Sequence, residues 1–362
     1  MDGEPVVEIM RHPPDLMNLR GEWEELSSNS GEISPFLSYS WVMTWLEFCG
    51  TPRSMRVIVV RQNGKVVGIA PLCLNTVFGF RVIEFLGFKQ VDGEMGAFLI
   101  APGLEPVIAP VLIQTLTDFP DSWDALSFYG VRSGSRFEHQ LSNYSYWLLK
   151  KTLYFRSLIG PARIIRLNGD WESFIGRSSR RFRATIRSDR ARCAKAGFSF
   201  IAESTLAHHA DVVSRLIAVE SRSWQGHKGH PVIRDNKEFF DRLFAAWIAS
   251  NEVEIFWARN DSGYHAFLVC LIVGSYALFY RTGYDVDMAH LSLGANLFYV
   301  ASQSLSQRGI QVVDMMTDIG GHTSYKDHWT KEFEMSMRHL FLRKSKRGRL
   351  IGLAFCAGLK QF

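Results

Sequence analysis

Residues 264–329 read YHAFLVCLIVGSYALFYRTGYDVDMAHLSLGANLFYVASQSLSQRGIQVVDMMTDIGGHTSYKDHW, and the reading of the fold starts from them. Two apolar runs flank Gly274-Ser275, a pair suited to a tight turn, so the pattern predicts two antiparallel strands. After Tyr280-Arg-Thr-Gly-Tyr-Asp285 comes Ser292-Leu-Gly-Ala-Asn296, which opens a helix of about sixteen residues. Gly309 ends that helix, and Gln311 to Met316 follow as a short strand. Strand, small-residue loop, helix, strand is an order that offers backbone N–H groups and a helix N-terminus to an anion.

Outward from this stretch, residues 253–258 read as a strand, and 207–224 and 236–250 as helices. Residues 171–196 read as one long helix ended by Gly197. Its Arg180, Arg183, Arg187 and Arg190 recur at helical spacing and share a face, while Phe182, Ile186 and Cys193 share another. Strands are expected at 162–167 and 335–342. The first half holds a comparable set: helices over 15–28 and 38–48, then strands over 55–61 and 65–74. Asn63-Gly64 between those strands is a strong hairpin signal. Strands at 81–86 and 97–100, a helix over 106–117 and a strand at 125–129 complete it. The tail, Arg343-Lys-Ser-Lys-Arg-Gly-Arg followed by Leu-Ile-Gly-Leu-Ala-Phe355, is either a last packed helix or a segment resting on anionic lipid. The packed helix is the expectation, since the apolar run is too short to span a bilayer.

A chain of 362 residues with 47% hydrophobic and 21% charged residues has material for two globular domains. The net charge of +5 favours anionic ligands such as CoA phosphates, a lipid surface or RNA, without choosing among them. Cys49, Cys73, Cys193, Cys270 and Cys356 stand singly, the pattern of reduced thiols in a cytoplasmic protein. The start, Met-Asp-Gly-Glu-Pro, lacks the basic and apolar regions of a signal peptide. His227 and His230 are spaced like a metal pair, but no carboxylate or cysteine cluster accompanies them, so no metal is expected. RRM, KH and zinc-finger signatures are absent from the sequence, and no specific nucleic-acid partner is expected.

The ordered string Tyr280-Arg-Thr-Gly-Tyr-Asp285, Ser292-Leu-Gly294, Asp314, Tyr325-Lys326 and Trp329 resembles the GNAT superfamily of acyl-CoA-dependent acyltransferases. The nearer resemblance is to its CelD-like and BioF2-like branch, related to the Fem aminoacyl transferases. Glu220 with Trp224, the Arg-rich helix, Pro35-Phe36 through Trp45 and Gly68-Ile-Ala-Pro-Leu72 echo it more weakly. One departure stands out. GNAT enzymes carry a (Gln/Arg)-x-x-Gly-x-(Gly/Ala) phosphate loop, and this loop holds only Gly294.

The resemblance implies an α/β fold of tandem GNAT-like domains with mixed sheets flanked by helices. The expected division is a degenerate copy at 1–160, the acyltransferase domain at 161–345 and the tail at 346–362. It also implies acyl-CoA as co-substrate and a small-molecule, lipid or sugar amine (or hydroxyl) as acceptor, with envelope lipid or polysaccharide synthesis as a setting. The single thiols point to a cytoplasmic protein, and the basic tail to one that can associate with the inner membrane surface. Arg281, Ser292 and the N–H groups of Leu293, Gly294, Ala295 and Asn296 would hold the CoA phosphates. Glu220 would be the base, with Asp285 and Asp314 behind it, and Tyr325 the acid for the leaving thiolate. Trp224, Tyr284, Asp285 and Lys326 would line the acceptor side. Two rivals remain at this point: a Fem-type transferase using aminoacyl-tRNA, and a non-catalytic accessory protein of envelope or polysaccharide assembly.

Overall fold

The computed structural model describes residues 3–50, 54–167, 171–203, 209–318 and 325–356. The chain forms two compact units, Met1–Gly160 with Met335–Phe362, and Pro161–Glu334. The first begins with β1 (Val6–Met10), α1 (Pro13–Met17), α2 (Arg20–Asn29) and α3 (Tyr39–Phe48). The helix expected over 15–28 is thus two helices, broken at Asn18-Leu19. Strands β2 (Val57–Gln62) and β3 (Lys65–Ala70) follow, and their hairpin comes directly from local sequence. Asn63 and Gly64 both take positive φ, 52° and 78°, as that two-residue turn requires.

The apolar run at 65–74 is not one strand. Pro71 lacks an N–H, so β3 stops at Ala70, and β4 (Leu72–Val77) pairs with β5 (Phe80–Phe85) in another sheet. Next come β6 (Leu99–Ile100), α4 (Glu105–Thr117), β7 (Ala125–Arg132), α5 (Arg136–Tyr144), α6 (Tyr146–Lys151) and β8 (Thr152–Arg166). One sheet of this unit runs β1-β2-β3-β6, and β5 is flanked by β4 and, in parallel, by β7.

The chain enters the second unit within β8. There α7 (Trp171–Arg177) and α8 (Arg180–Lys195) replace the single helix expected over 171–196. The Ser179 hydroxyl accepts the Phe182 N–H and caps a new helix, while Arg183 donates to the Gly176 carbonyl at 2.6 Å across the break. Arg183 therefore leaves the cationic stripe, and Arg190 lies on the Tyr299 ring at 4.5 Å. The unit continues with β9 (Ser199–Glu203), α9 (His209–Ser221), α10 (Trp224–His227), α11 (Val232–Asp235) and α12 (Lys237–Ala249). The last part is β10 (Val253–Asn260), β11 (Gly263–Val273), β12 (Tyr276–Tyr284), α13 (Leu293–Gln307) and β13 (Val312–Thr317). Its sheet runs β8-β13-β12-β11-β10-β9, with only the β12–β13 pair parallel among the pairings described.

One face of this sheet packs against α8 and α13. Leu268, Cys270, Ala277, Phe279 and Val313 meet Ile186, Leu297, Phe298 and Ala301 in a single apolar cluster. The chain returns to the first unit within β14 (Phe333–Arg343). This strand does not extend the second domain to 345. It pairs antiparallel with β7, from Ser336 opposite Arg132 to Leu342 opposite Ala125. The tail then forms α14 (Lys346–Cys356), whose Ile351 is buried with Val82, Ala125, Leu340 and Leu342. Residues 357–362 of the tail lie outside the described residues. Among the described residues no helix is long and apolar enough to cross a membrane.

Candidate active site

The parallel strands β12 and β13 pair over only three positions, Tyr276 with Val312, Ala277 with Val313 and Leu278 with Asp314. Beyond Leu278 they part. β12 continues to Tyr284 against β11, while β13 reaches Thr317, which pairs with Ala162 of β8. Two local features accompany the opening. Val269 pairs with Arg281 but Cys270 pairs with Phe279, so Tyr280 is an extra residue, and such a bulge bends and twists its strand. On β13, Met316 has φ 63°, a left-handed conformation that costs a non-glycine residue on the order of 1–2 kcal/mol.

Asp314 holds that turn. Its side chain is wholly buried, Oδ1 accepts the Met316 N–H at 2.7 Å and Oδ2 accepts the Tyr276 hydroxyl at 2.6 Å. The arrangement makes Asp314 a structural anchor of the opening, not a reserve base. Lys326 anchors the same corner. Its ammonium donates to the Met316 carbonyl at 3.1 Å and pairs with Asp318 at 2.7 Å, so it does not reach out toward an acceptor. The opened edge of β12 is met from the other side by α10, where Gln225 Nε2 donates to the Thr282 carbonyl at 3.1 Å. Gln225 was not singled out from sequence, since an amide bonded to a strand edge leaves no periodic signal.

Beside the opening lies the start of α13. Ser292 takes left-handed φ/ψ of 55° and 39° and makes no side-chain cap, so it turns the chain into the helix by its backbone and is not an ordinary N-cap. The N–H groups of Leu293, Gly294 and Ala295 belong to the first turn and have no intrahelical acceptor. Asn296 does not join them. Its N–H donates to the Ser292 carbonyl at 3.2 Å, its Nδ2 donates to the same oxygen at 3.1 Å, and the side chain is wholly buried. A Cβ placed on Gly294 would meet only Tyr284 Cδ1, at 3.8 Å. A glycine in a helix is about 1 kcal/mol less favourable than alanine, and nothing in the packing here requires it. The open space above its backbone is what the glycine provides.

The bulge moves Arg281 away from this helix start. Ala277 and Phe279 face α13, whereas Tyr280 packs toward Phe240 of α12 at 6.3 Å. Arg281 is in register with Val269, flanked on β11 by Leu268 and Cys270 of the α13-side cluster. It therefore shares the α12 side with Tyr280, and its guanidinium lies 4.9 Å from the Tyr280 ring. It is thus separated from the other residues expected to hold phosphate and lies on the face toward α12. Tyr284 and Tyr325 stay on the α13 side, with the Tyr325 ring 5.6 Å from that of Phe298. The Tyr325 ring is 49% exposed. Crowding around the hydroxyl, then Asp318 and Tyr284, nevertheless push its pKa upward, so it stays protonated at neutral pH.

The remaining carboxylates are committed elsewhere. Glu220 is 2% exposed, and its two oxygens accept the N–H groups of Ile233 at 3.1 Å and Arg234 at 3.0 Å. It caps the start of α11, an anchoring role that replaces the expected base. Trp224 does not enclose it: that ring is 45% exposed and carries the Lys228 ammonium at 5.4 Å. Asp285 accepts from Arg222 Nε at 2.9 Å and the Asp287 N–H at 3.1 Å, with His265 Nδ1 at 3.4 Å. Burial acts to raise its pKa, but those donors and the Arg222 charge outweigh burial and hold it below the usual carboxylate range. Asp285 thus closes the end of β12 and does not line an acceptor pocket. Among the described residues no group of three or more His, Cys, Asp or Glu is placed to hold a metal.

This geometry has relatives. Residues 180–327, from α8 to the turn bearing Tyr325, match the family model described as an acetyltransferase (GNAT) domain. FemX superposes with a TM-score of 0.63 over 97% of this chain and 99% of its own, at 10% identity. The C-terminal domain (DUF2156) of an Agrobacterium fabrum protein assigned as a lysylphosphatidylglycerol synthetase gives 0.58 over 95% and 96%, at 11% identity. L-PGS from Bacillus licheniformis gives 0.59 over 97% and 98%, at 12% identity. Identities this low carry the fold alone, and no curated protein sequence matches the chain. The matched segment, residues 180–327, holds the splayed strands and the open helix start and is similar to a GNAT acetyltransferase domain, and the chain as a whole shares its fold with FemX.

Proposed function

We propose that the second unit transfers an acyl group from acyl-CoA to an amine, as the CelD-like and BioF2-like resemblance implies. One observation carries the reading: the parting of β12 and β13 beside a helix start whose backbone is open at Gly294. The N–H groups of Leu293, Gly294 and Ala295, at the positive end of the α13 dipole, fit a pyrophosphate. The β12 backbone beyond Leu278 has no β13 partner and supplies N–H groups for a carbonyl oxygen that gains charge. The acyl-CoA thioester brings an activated carbonyl and a thiolate leaving group.

Transfer forms a C–N bond and breaks the C–S bond. The proton of the amine goes to solvent and the thiolate gains one. Tyr325, kept protonated, donates a hydrogen bond to the departing sulfur. With Glu220, Asp285 and Asp314 all engaged in structural bonds, the acceptor reacts as the free amine, and the rate climbs with pH as the amine deprotonates. The acceptor approaches from the α10 side, past Trp224 and Arg281. Arg281 suits an acceptor with an anionic group, such as a sugar or lipid amine of envelope or polysaccharide synthesis, reached from the cytoplasm where acyl-CoA is found.

Calorimetry with CoA, acetyl-CoA and a long-chain acyl-CoA, run beside aminoacyl-tRNA, tests this. Saturable binding of a CoA species with no stabilisation by aminoacyl-tRNA is the expected result. Binding of aminoacyl-tRNA alone would move the protein to a Fem-type reaction, and binding of neither would leave a GNAT shell without transferase activity.

A further inference from the structure

The first unit carries an apolar surface that its own packing does not use. On α6, Tyr146 and Trp147 are 60% and 53% exposed, and on α14, Leu350 and Leu353 are 56% and 69% exposed. The two helices adjoin. The Lys344 N–H donates to the Lys151 carbonyl at 3.0 Å, and the Lys344 ammonium donates to the Lys150 carbonyl at 2.9 Å. Phe155, just past α6, and Phe355 of α14 have ring centroids 6.1 Å apart. At the hairpin tip between β4 and β5, Phe78 is 70% exposed, and the neighbouring Gly79 carbonyl accepts from Arg347 of α14.

Helix spacing separates the two faces of α14. Ile351 and Gly352 are buried, while Lys346, Arg349, Leu350 and Leu353 recur at i, i+3, i+4 and i+7 on the exposed side. A single exposed leucine needs no explanation. A tryptophan, a tyrosine, a phenylalanine and two leucines on three adjoining elements do.

Charge says what covers them. The Lys150 ammonium sits 4.4 Å and 4.7 Å from the rings of Tyr146 and Trp147. Asp118 and Asp124, the neighbouring carboxylates, are paired with Lys151 and Arg347. Among the described residues Lys346 and Arg349 form no ion pair, so the patch is positive around its apolar centre. A second copy of the chain would bring like charges together. Amphipathic aromatic rings, leucines and a ring of Lys and Arg are instead what the headgroup region of an anionic bilayer accommodates.

We propose that the first unit docks on anionic membrane through the outer face of α14 together with α6 and the β4–β5 tip. This does not rest on the reaction proposed for the second unit. The test is co-sedimentation of the full chain with vesicles of equal parts phosphatidylcholine and phosphatidylglycerol, against pure phosphatidylcholine. Binding should be at least about tenfold stronger to the anionic vesicles and should weaken as salt shortens the Debye length. The double variant Leu350→Glu/Leu353→Glu should lose about tenfold or more with an unchanged Tm, because both side chains are exposed. Should that variant fold poorly, Lys346→Glu/Arg349→Glu on the same face takes its place, with the same expected loss. Equal binding to both vesicle types, no binding at low salt, or a variant that binds like wild type would overturn the proposal. So would a dimer in sedimentation velocity that the double variant dissolves, since the face would then belong to a second copy.

Discussion

In the first unit α4 lies between the parallel strands β5 and β7, and in the second α13 lies between β12 and β13. The starts of the two helices differ in kind. α4 begins Glu105-Pro106, so a carboxylate sits in the first turn and one of the donors is missing. Its next two N–H groups, of Val107 and Ile108, both donate to the Leu104 carbonyl, and Glu105 meets Arg136 at 3.3 Å. α13 begins Leu293-Gly294-Ala295 behind a left-handed Ser292, with no acid in the turn and open space at the glycine. A shared strand–helix–strand plan therefore does not make an anion site. The chemistry of three residues at the helix start sets the two apart, which is the physical argument behind the proposal that the acyl donor binds the second unit alone.

The comparison is broken most strongly at the leaving group. After β13 comes Tyr325, and after β7 the helix α5 begins Arg136-Phe137, where a wholly buried phenylalanine has no hydroxyl to give. Tyr325→Phe should lower kcat about 10²-fold while leaving acyl-CoA affinity in place. The loss should shrink for thioesters with a better leaving thiol. An unchanged kcat would show that the two units do not differ in this respect.

The next test compares the helix starts themselves. Gly294→Val should weaken acyl-CoA binding about tenfold or more, roughly 1.4 kcal/mol. The fold should survive, since the new Cβ meets only Tyr284. Glu105→Gln at the start of α4 should leave binding unchanged in the same calorimetric titration. Equal losses from both substitutions would put the donor site outside the second unit or divide it between the two.

Much of this contrast was legible in sequence, and the parts that were not share a cause. The alternation of apolar runs gave β10 to β13 and α13 to within a few residues, because a buried strand or helix imposes its period on the chain. Ser292 also stands out in the sequence, as a phosphate-binding residue at the helix start, but its backbone conformation is not legible there. Its left-handed backbone has no compositional mark outside glycine and asparagine. Arg281 was assigned to the phosphates by its place in a motif. A single bulge at Tyr280 sent it to the other face, and a bulge is decided by tertiary pairing. Glu220 looked like a base beside a tryptophan. The carboxylate was instead consumed by a short helix, α11, whose start after Pro231 went unread. The strand expected at 162–167 is only the end of the fifteen-residue β8, which runs through Gly160 and Pro161, a pair that ordinarily interrupts a strand.

Glu220 offers a smaller, sharper test of what a buried carboxylate does in the second unit. Glu220→Gln keeps its shape but replaces one acceptor with an NH2 that faces a backbone N–H. Stability should fall by about 1–3 kcal/mol, read as a lower denaturation midpoint with an unchanged m-value. The pH–rate profile should overlay wild type apart from scale. A profile that loses its acid-side limb, with stability intact, would restore Glu220 as the base.

The smallest effect expected is electrostatic and sets Asp285 of the second unit against Glu138 of the first. Burial acts to raise the pKa of each, and donors outweigh it: Arg222, the Asp287 N–H and His265 around Asp285, and the Gly134 N–H and Arg156 around Glu138. Both carboxyls are therefore held below their ordinary values, and the unfolded chain takes up its proton at a higher pH than the folded chain. The stabilisation is fully present above the unfolded pKa and is lost as pH falls through the folded one. Asp285→Asn keeps an oxygen to accept the Asp287 N–H but removes the charge. Its Tm should lie below that of wild type at neutral pH, and the gap should close as the pH falls below about 4. Arg222 is 45% exposed on its side chain, so solvent screens the pair and the gap at neutral pH should correspond to about 1 kcal/mol or less. Glu138→Gln should close its own gap over a similar range, because Arg156 is 44% exposed and screened alike. A Tm gap for Asp285→Asn that is the same at pH 3 and pH 7 would mean that the bonds matter and the charge does not, and that Asp285 closes the end of β12 by shape alone.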